Sequence, residues 1–364
     1  MSHDVLHLVG TVVLDDEREV GEVWVVGGRL TFTRPAGPAT TVRGWVLPGL
    51  VDVHCHIGLA ADGPVDAETA ERQAIADRDS GVLLVRDAGS PADTSWVHGR
   101  ADLPRLIRSG HHLARPKRYL RHYGLELTDV RDLPGAVHRE ALRADGWVKL
   151  VADWIDRDLG AAGDLTPLWP DDVLAQAVAA AHDAGARVTA HTFATESIDP
   201  LLDAGIDGLE HATGATHAQI ERIADRGIPV TATLLQVAQF DAIAARGQDR
   251  YPRFARRMRA MGERRYQHVR DLHDAGVPVL VGTDAGGTIG HGRIADEAAE
   301  LVAAGIPARD VVAAASWRTR AWLGVDSVAE GASADVVVYD RDPRRDVTAL
   351  HEPSAVVLRG VRHA

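Results

Sequence analysis

The sequence predicts an α/β protein: a (β/α)8 TIM barrel beside a small β-sandwich domain that the two chain ends form together. Three observations carry that expectation. First, a phrase recurs five times, aspartate, one residue, glycine, then an apolar run: Asp79-Ser80-Gly81, Asp183-Ala184-Gly185, Asp203-Ala204-Gly205, Asp225-Arg226-Gly227 and Asp274-Ala275-Gly276. Glycine just past a helix supplies the left-handed cap from which the chain turns back into a strand. Second, β-rich runs recur between helix-like segments, eight in all. They come without the Gly-rich phosphate turn of an open doubly wound sheet. Third, the two ends show short alternating runs with Gly and Asp turns, neither long enough to bury a face alone.

Taken in order, residues 1–46 and 325–364 are assigned to the small domain and residues 47–324 to the barrel. Strand 1 is the apolar run 47–57, "LPGLVDVHCHI". "VLLVRD" (82–87) is strand 2, a run near 104–109 strand 3, and "GWVKLVAD" (146–153) strand 4. The helix "DDVLAQAVAAAH" (171–182) has its apolar positions at helical spacing and precedes strand 5, "ARVTAH". "IDGLEH", "IPVTAT" and "VPVLVGTD" follow as strands 6 to 8, each after its own Asp-x-Gly. A helix, a glycine and a buried strand, repeated, make a parallel α/β sheet.

Composition narrows the function. The chain has 364 residues and a net charge of −12, which argues against nucleic acid or an anionic membrane surface as partner. No apolar run reaches the roughly 18 residues of a membrane helix, and the N-terminus lacks a secretory pattern. The single cysteine, Cys55, excludes an internal disulfide and suits a reducing, cytoplasmic compartment. The expected partner is a small-molecule substrate, with self-association into a homo-oligomer left open. Of 40 basic residues only Lys117 and Lys149 are lysine. A lysine here stands where arginine would not serve.

Barrel chemistry gathers at the C-terminal ends of the strands. There the sequence places His54 and His56 on strand 1, Lys149 on strand 4, His191 on 5, His211 on 6 and Asp284 on 8. Residues two apart on a strand share a face, so His54 and His56 point together and Cys55 points away, into the core. A lone histidine closing an apolar strand is usually structural. Four of them and an aspartate converging on one rim read as a metal site.

These residues, with "LPGLVDVHCH", "TAHTFATESI", "GLEHATG", "GTDAGG" and a C-terminal "ADVVVYDRDP", resemble the amidohydrolase superfamily over the whole chain. Within it, "GVLLVRDAGS" and "RADGWVKLVA" are most similar to the Xaa-Pro dipeptidase and imidazolonepropionase-like group. The resemblance implies a binuclear metal-dependent hydrolase of an amide or lactam-type C–N bond, in a dipeptide, N-acyl amino acid or cyclic amide. It places His54, His56 and Asp284 on one divalent metal, most plausibly zinc, and His191 and His211 on a second. Carboxylated Lys149 would bridge them. A metal-bridging hydroxide would attack, with Asp284 as proton shuttle.

Lys149 is the branch point. It lies three residues after Gly146, whereas His191 and His211 lie six after their glycines and Asp284 eight. The bland reading pairs it with Asp153. The rival functional reading is a mononuclear deaminase or imidazolone-type ring hydrolase using His54, His56, His191 and Asp284. A scaffold without activity is the rival of another class, and the complete ligand set speaks against it. In "RHYG" (121–124), His122 is the candidate substrate contact. The basic run 251–270 reads as a solvated helix face with Phe254, Met258 and Met261 turned inward. Strand 7 closes on "TATLL", without the tyrosine expected of a close dipeptidase relative.

Overall fold

Residues 5–363 are described by a computed structural model of the chain. The terminal segments, whose alternating apolar residues need a covered face, find it in each other. Val361–Arg362, Pro353–Leu358, Val336–Tyr339, Thr40–Pro48, Leu6–Val13, Glu19–Val26 and Arg29–Thr31 hydrogen-bond in that order as one seven-stranded sheet. A sandwich of two sheets is the expectation. The hydrogen bonding instead runs unbroken through a single sheet that folds back on itself. At the far edge Leu30 N donates to Ala332 O (2.9 Å) and Ala334 N to Gly28 O (3.0 Å), returning the C-terminal segment to the N-terminal hairpin. One face, with Leu8, Val25, Val42, Val46, Val336 and Val338, forms its own core. Alternate residues Leu47, Val337, Tyr339 and Val356 pack into the core of the α/β body.

Two glycines allow the fold-back. Gly10 and Gly44 face each other in the parallel pairing of Leu6–Val13 with Thr40–Pro48. Their φ angles are +140° and +148°, and a Cβ on Gly10 would lie 2.1 Å from Gly44 O. No side chain fits there.

The body is α/β. Leu50–Cys55, Val82–Asp87 and Arg105–Arg108 pair in parallel. His112–Ala114, Trp147–Val151, Arg187–Thr192, Gly208–His211, Val230–Thr231 and Val279–Leu280 form a second parallel run. The third strand is thus split, its first half on strand 2 and its second on strand 4, with Gly110 at φ +71° between them. Backbone bonds join the two runs on both sides. Asp145 N reaches Arg108 O on one side; Val53 N reaches Val281 O and Asp284 N reaches His54 O on the other. The five repeat glycines all have positive φ, from +63° to +93°, as cap residues.

Helices cover the strands as their patterns require. Asp171–Asp183 buries Val173, Leu174, Ala177, Val178 and Ala181, one stripe at helical spacing. Pro252–Glu263 buries Phe254, Met258 and Met261 and leaves Arg253 and Arg256 exposed, with Arg257 and Arg259 half-buried. Among the described residues no helix is long and apolar enough to cross a membrane.

Gly44→Ala should lower the denaturant midpoint by the equivalent of about 2–4 kcal/mol, from backbone clash and left-handed strain together. Gly21→Ala, with nothing within 4 Å of the added carbon, should leave it unmoved. Equal midpoints would show that the close approach of the two strands is not required.

Candidate metal centre

Parity brings the first three residues together. His54 and His56 leave the same face at the end of Leu50–Cys55, and Asp284 follows Val279–Leu280, hydrogen-bonded alongside. His56 Nε2 is 3.0 Å and His54 Nε2 3.3 Å from Asp284 Oδ1. One donor atom from each of the three lies within 4.8 Å of the others. The far nitrogens are occupied. His56 Nδ1 donates to Gly89 O (2.6 Å), and His54 Nδ1 meets Glu210 Oε2 (2.8 Å). A carbonyl only accepts, so the proton of His56 is on Nδ1 and Nε2 is left to ligate.

His211 and His191 continue the cluster from the next strands. The His211 ring lies 5.0 Å from that of His54 and 4.8 Å from that of His191. His211 Nδ1 is held by Thr233 Oγ1 at 2.6 Å. His191 Nε2 is buried without a hydrogen-bond partner. Burial drives the His211 pKa down to about 3 and that of His191 well below the usual range, so both are neutral imidazoles, the form that ligates. For Asp284 burial works upward, but the charge and hydrogen bond of His54 outweigh it and hold the carboxylate ionised.

Lys149 sits one side-chain layer deeper. In register it faces Thr189, while Val151 faces His191. That is the structural meaning of its short distance from Gly146. The long side chain is only 1% exposed, and Nζ has no hydrogen-bond partner. Burial lowers its pKa to about 8, against the pull of Glu210 and with a push from Arg86. Its charge acts on His54, His56, His191 and His211 alike. The alternative pairing with Asp153 is not made: that carboxylate accepts from Thr192 Oγ1 and from the N–H groups of Phe193 and Ala194.

His122 is not brought to this cluster. It is exposed, at φ +65°, and its Cβ packs toward Gly63. The loop turns other side chains inward. The His112 ring lies 5.0 Å from that of His56, and Tyr119 lies 5.3 Å from His112 and 5.6 Å from His191. Trp154 and Phe193 flank His191 at 5.3 and 4.3 Å.

Behind the rim lies a layer that reading strand ends misses. Glu210, wholly buried, accepts from His54, from Arg86 Nη2 (2.6 Å) and from Thr189 Oγ1. Burial alone would raise its pKa, but Arg86, His54 and Lys149 hold it well below. Arg86 also donates to Val53 O (2.8 Å) and lies 4.8 Å from the Trp147 ring. The signal was present: a charged residue inside each of two apolar strands, "VLLVRD" and "GLEH". The backbone at the rim is strained, since His211 and Asp284, neither of them glycine, have φ of +67° and +57°. Such outliers mark functional positions.

The chain belongs to the amidohydrolase family, whose sequence model matches residues 45–362. It is accordingly a hydrolase acting on carbon–nitrogen bonds, of a metal-dependent family. It is 49% identical over 357 residues to an uncharacterized protein of Mycobacterium tuberculosis, covering 98% of this chain and 95% of that one. To a 5-methylthioadenosine/S-adenosylhomocysteine deaminase of Natronomonas pharaonis it is 26% identical over 414 residues, covering 95% of this chain and 85% of the deaminase. A crystal structure of a Xaa-Pro dipeptidase with methionine in its active site matches with a TM-score of 0.84 at 19% identity, over 99% of this chain and 100% of that one, a likeness of fold.

Glu210→Gln should weaken divalent-metal binding by about 10–100-fold in chelator competition, because His54 loses the carboxylate that orients it. Arg86→Leu should cost stability as well, roughly 3–5 kcal/mol, by leaving Glu210 charged and unpaired in the core. Unchanged metal affinity in Glu210→Gln would show that the His54 contact is only structural.

Proposed function

We propose that this chain is a binuclear metal-dependent hydrolase that opens an amide or lactam-type C–N bond, its site on the rim of a closed (β/α)8 barrel. The backbone bonds joining the two parallel runs on both sides support the closed barrel, spanning 47–324 beside the domain formed by 1–46 and 325–364. The observation that carries the binuclear reading is Lys149: a lysine amine buried without a partner among four histidines. Burying an unpaired ammonium is costly. CO2 adding to the neutral amine, with an N–C bond formed and one amine proton released, would give a carbamate whose two oxygens, both from CO2, are donors.

The donor set fits divalent cations. His54, His56 and Asp284 would hold one, His191 and His211 the second, with carboxylated Lys149 between them; imidazole-rich ligation favours zinc. Bound cations supply Lewis acidity, polarising a carbonyl and acidifying water. The chain's own groups do the rest. Asp284, kept ionised, takes the proton of the attacking water and returns it to the departing nitrogen. Glu210 and Gly89 hold His54 and His56 in the tautomer that leaves Nε2 free, and Thr233 fixes His211. Tyr119, Trp154 and Phe193 wall the side of His191 with flat apolar surface and limit water there. Substrates in reach are dipeptides, N-acyl amino acids and cyclic amides. The segment after strand 7, Ala232 to Leu235, carries no tyrosine, which weighs against carrying the dipeptidase specificity across unchanged. The lone cysteine supports a reducing, cytoplasmic setting.

A mononuclear site is the second reading, and one observation favours it. Only His54, His56 and Asp284 of this rim have donor atoms within 4.8 Å of one another.

The zinc content of zinc-supplemented wild type should exceed that of a His54→Ala, His191→Ala double variant by close to two per chain, and either single variant should lose metal and turnover while staying folded. A single rim metal would shift the assignment to the mononuclear reading.

Lys149→Ala should lose activity and recover part of it with acetate or propionate, which can enter the vacated space with two oxygens. Lys149→Arg should not recover, because the guanidinium fills the space and stays charged. Tolerance of arginine, with an alanine variant indifferent to added acid, would overturn the bridge.

A further inference from the structure

Cys55 leaves its strand on the face opposite His54 and His56, toward the helix Ala67–Asp79. There it meets two groups that the rim chemistry does not use. Asp77, on the buried side of that helix, and His291, in the loop that follows Asp284, each place a donor atom within 4.8 Å of the others and of Cys55 Sγ. All three are secluded: Cys55 and Asp77 are buried, and the His291 side chain is 4% exposed. His291 Nδ1 is 2.8 Å from Asp77 Oδ2, and Gly292 N donates to Asp77 Oδ1 at 2.9 Å.

Two atoms around this cluster have no partner. His291 Nε2 is buried and unbonded, and so is Oδ2 of Asp87, at the end of the neighbouring strand Val82–Asp87. Asp87 Oδ1 accepts from Gly89 N (2.8 Å). The charges of Asp77 and Asp87 both act on His291. Asp77, Asp87 and the Cys55 thiol thus gather around one imidazole, His291.

We propose that Cys55, Asp77 and His291, completed by Asp87, form a buried site for one zinc-class divalent cation, distinct from the metals of the rim. Thiolate, imidazole and carboxylate are the donors zinc takes in closed structural sites. At bond lengths of about 2.0–2.3 Å, tetrahedral donors stand about 3.3–3.8 Å apart, so the group needs to contract by about an ångström. The site would tie the strand of His54 and His56, the first helix and the loop after Asp284 to one ion. The cation is structural: the site is closed, and nothing in it is open to substrate.

The chain's single cysteine makes the test specific, because no rim donor is sulfur. Wild-type protein is loaded with cobalt(II) for absorption and with zinc for X-ray absorption. A near-ultraviolet sulfur-to-cobalt charge-transfer band and a zinc–sulfur distance near about 2.3 Å are expected. Cys55→Ser should abolish both signals, and His291→Ala should lower bound metal by about one equivalent per chain. Absence of both sulfur signals in the wild type, or their persistence in Cys55→Ser, overturns the site. The wild-type measurement stands even if a variant fails to fold. A wrong assignment at the rim would alter the metal count without touching the sulfur signals.

Discussion

The carboxylate of Glu210 connects everything the rim requires. It is ionised at full burial, which a protein core tolerates only when the charge is matched and its lone pairs are filled. Arg86 matches it from strand 2, Thr189 donates from strand 5, and the imidazole of His54 from strand 1 takes the remaining oxygen. Four strands are thereby locked to one anion. The guanidinium has little freedom of its own, lying against Trp147 and donating to Val53 O. Rotation of His54 would break a buried ion-pair network, so the ring stays with Nε2 toward Asp284.

Around that anchor, the site is assembled from groups that are individually unfavourable. A lysine amine without a partner, histidines held neutral by burial and two rim residues in left-handed backbone all raise the free energy of this end of the molecule. Apolar strands below them supply the stability. Leu50, Val51 and Val53 are fully buried in the strand of His54, and Val148, Leu150, Val188 and Ala190 are fully buried in the strands of Lys149 and His191. The two strained residues, His211 and Asp284, sit at or beyond strand ends, where the ladder is finished. Function is thus placed where the fold tolerates it.

The folded-back terminal sheet has its own relation to the body. Its inner face is self-sufficient, while Leu47, Val337 and Tyr339 extend the core of the α/β region. Thr40–Pro48 runs almost directly into Leu50–Cys55. The strand bearing His54 and His56 is therefore anchored at its start by one domain and at its end by Asp284.

Read alone, the sequence determined the elements whose signal is local. Asp-x-Gly marked the helix-to-strand turns because left-handed backbone selects glycine. Two-residue periodicity put His54 and His56 on one face and Cys55 on the other. Strand ends named the same histidines and aspartate that the structure gathers, since position along a parallel strand is readable without knowing its neighbours. Tertiary structure alone decided what depends on register and packing between distant segments. The layer of Lys149 follows from its pairing with Thr189. The commitment of Asp153 to Thr192, the exposure of His122 and the inward turn of His112 and Tyr119 follow from contacts with segments distant in the sequence. Glu210 and Arg86 are 124 residues apart, and Cys55 and His291 farther still. No local pattern records such a meeting, because it is set by the pairing of distant strands and the packing of helices over them.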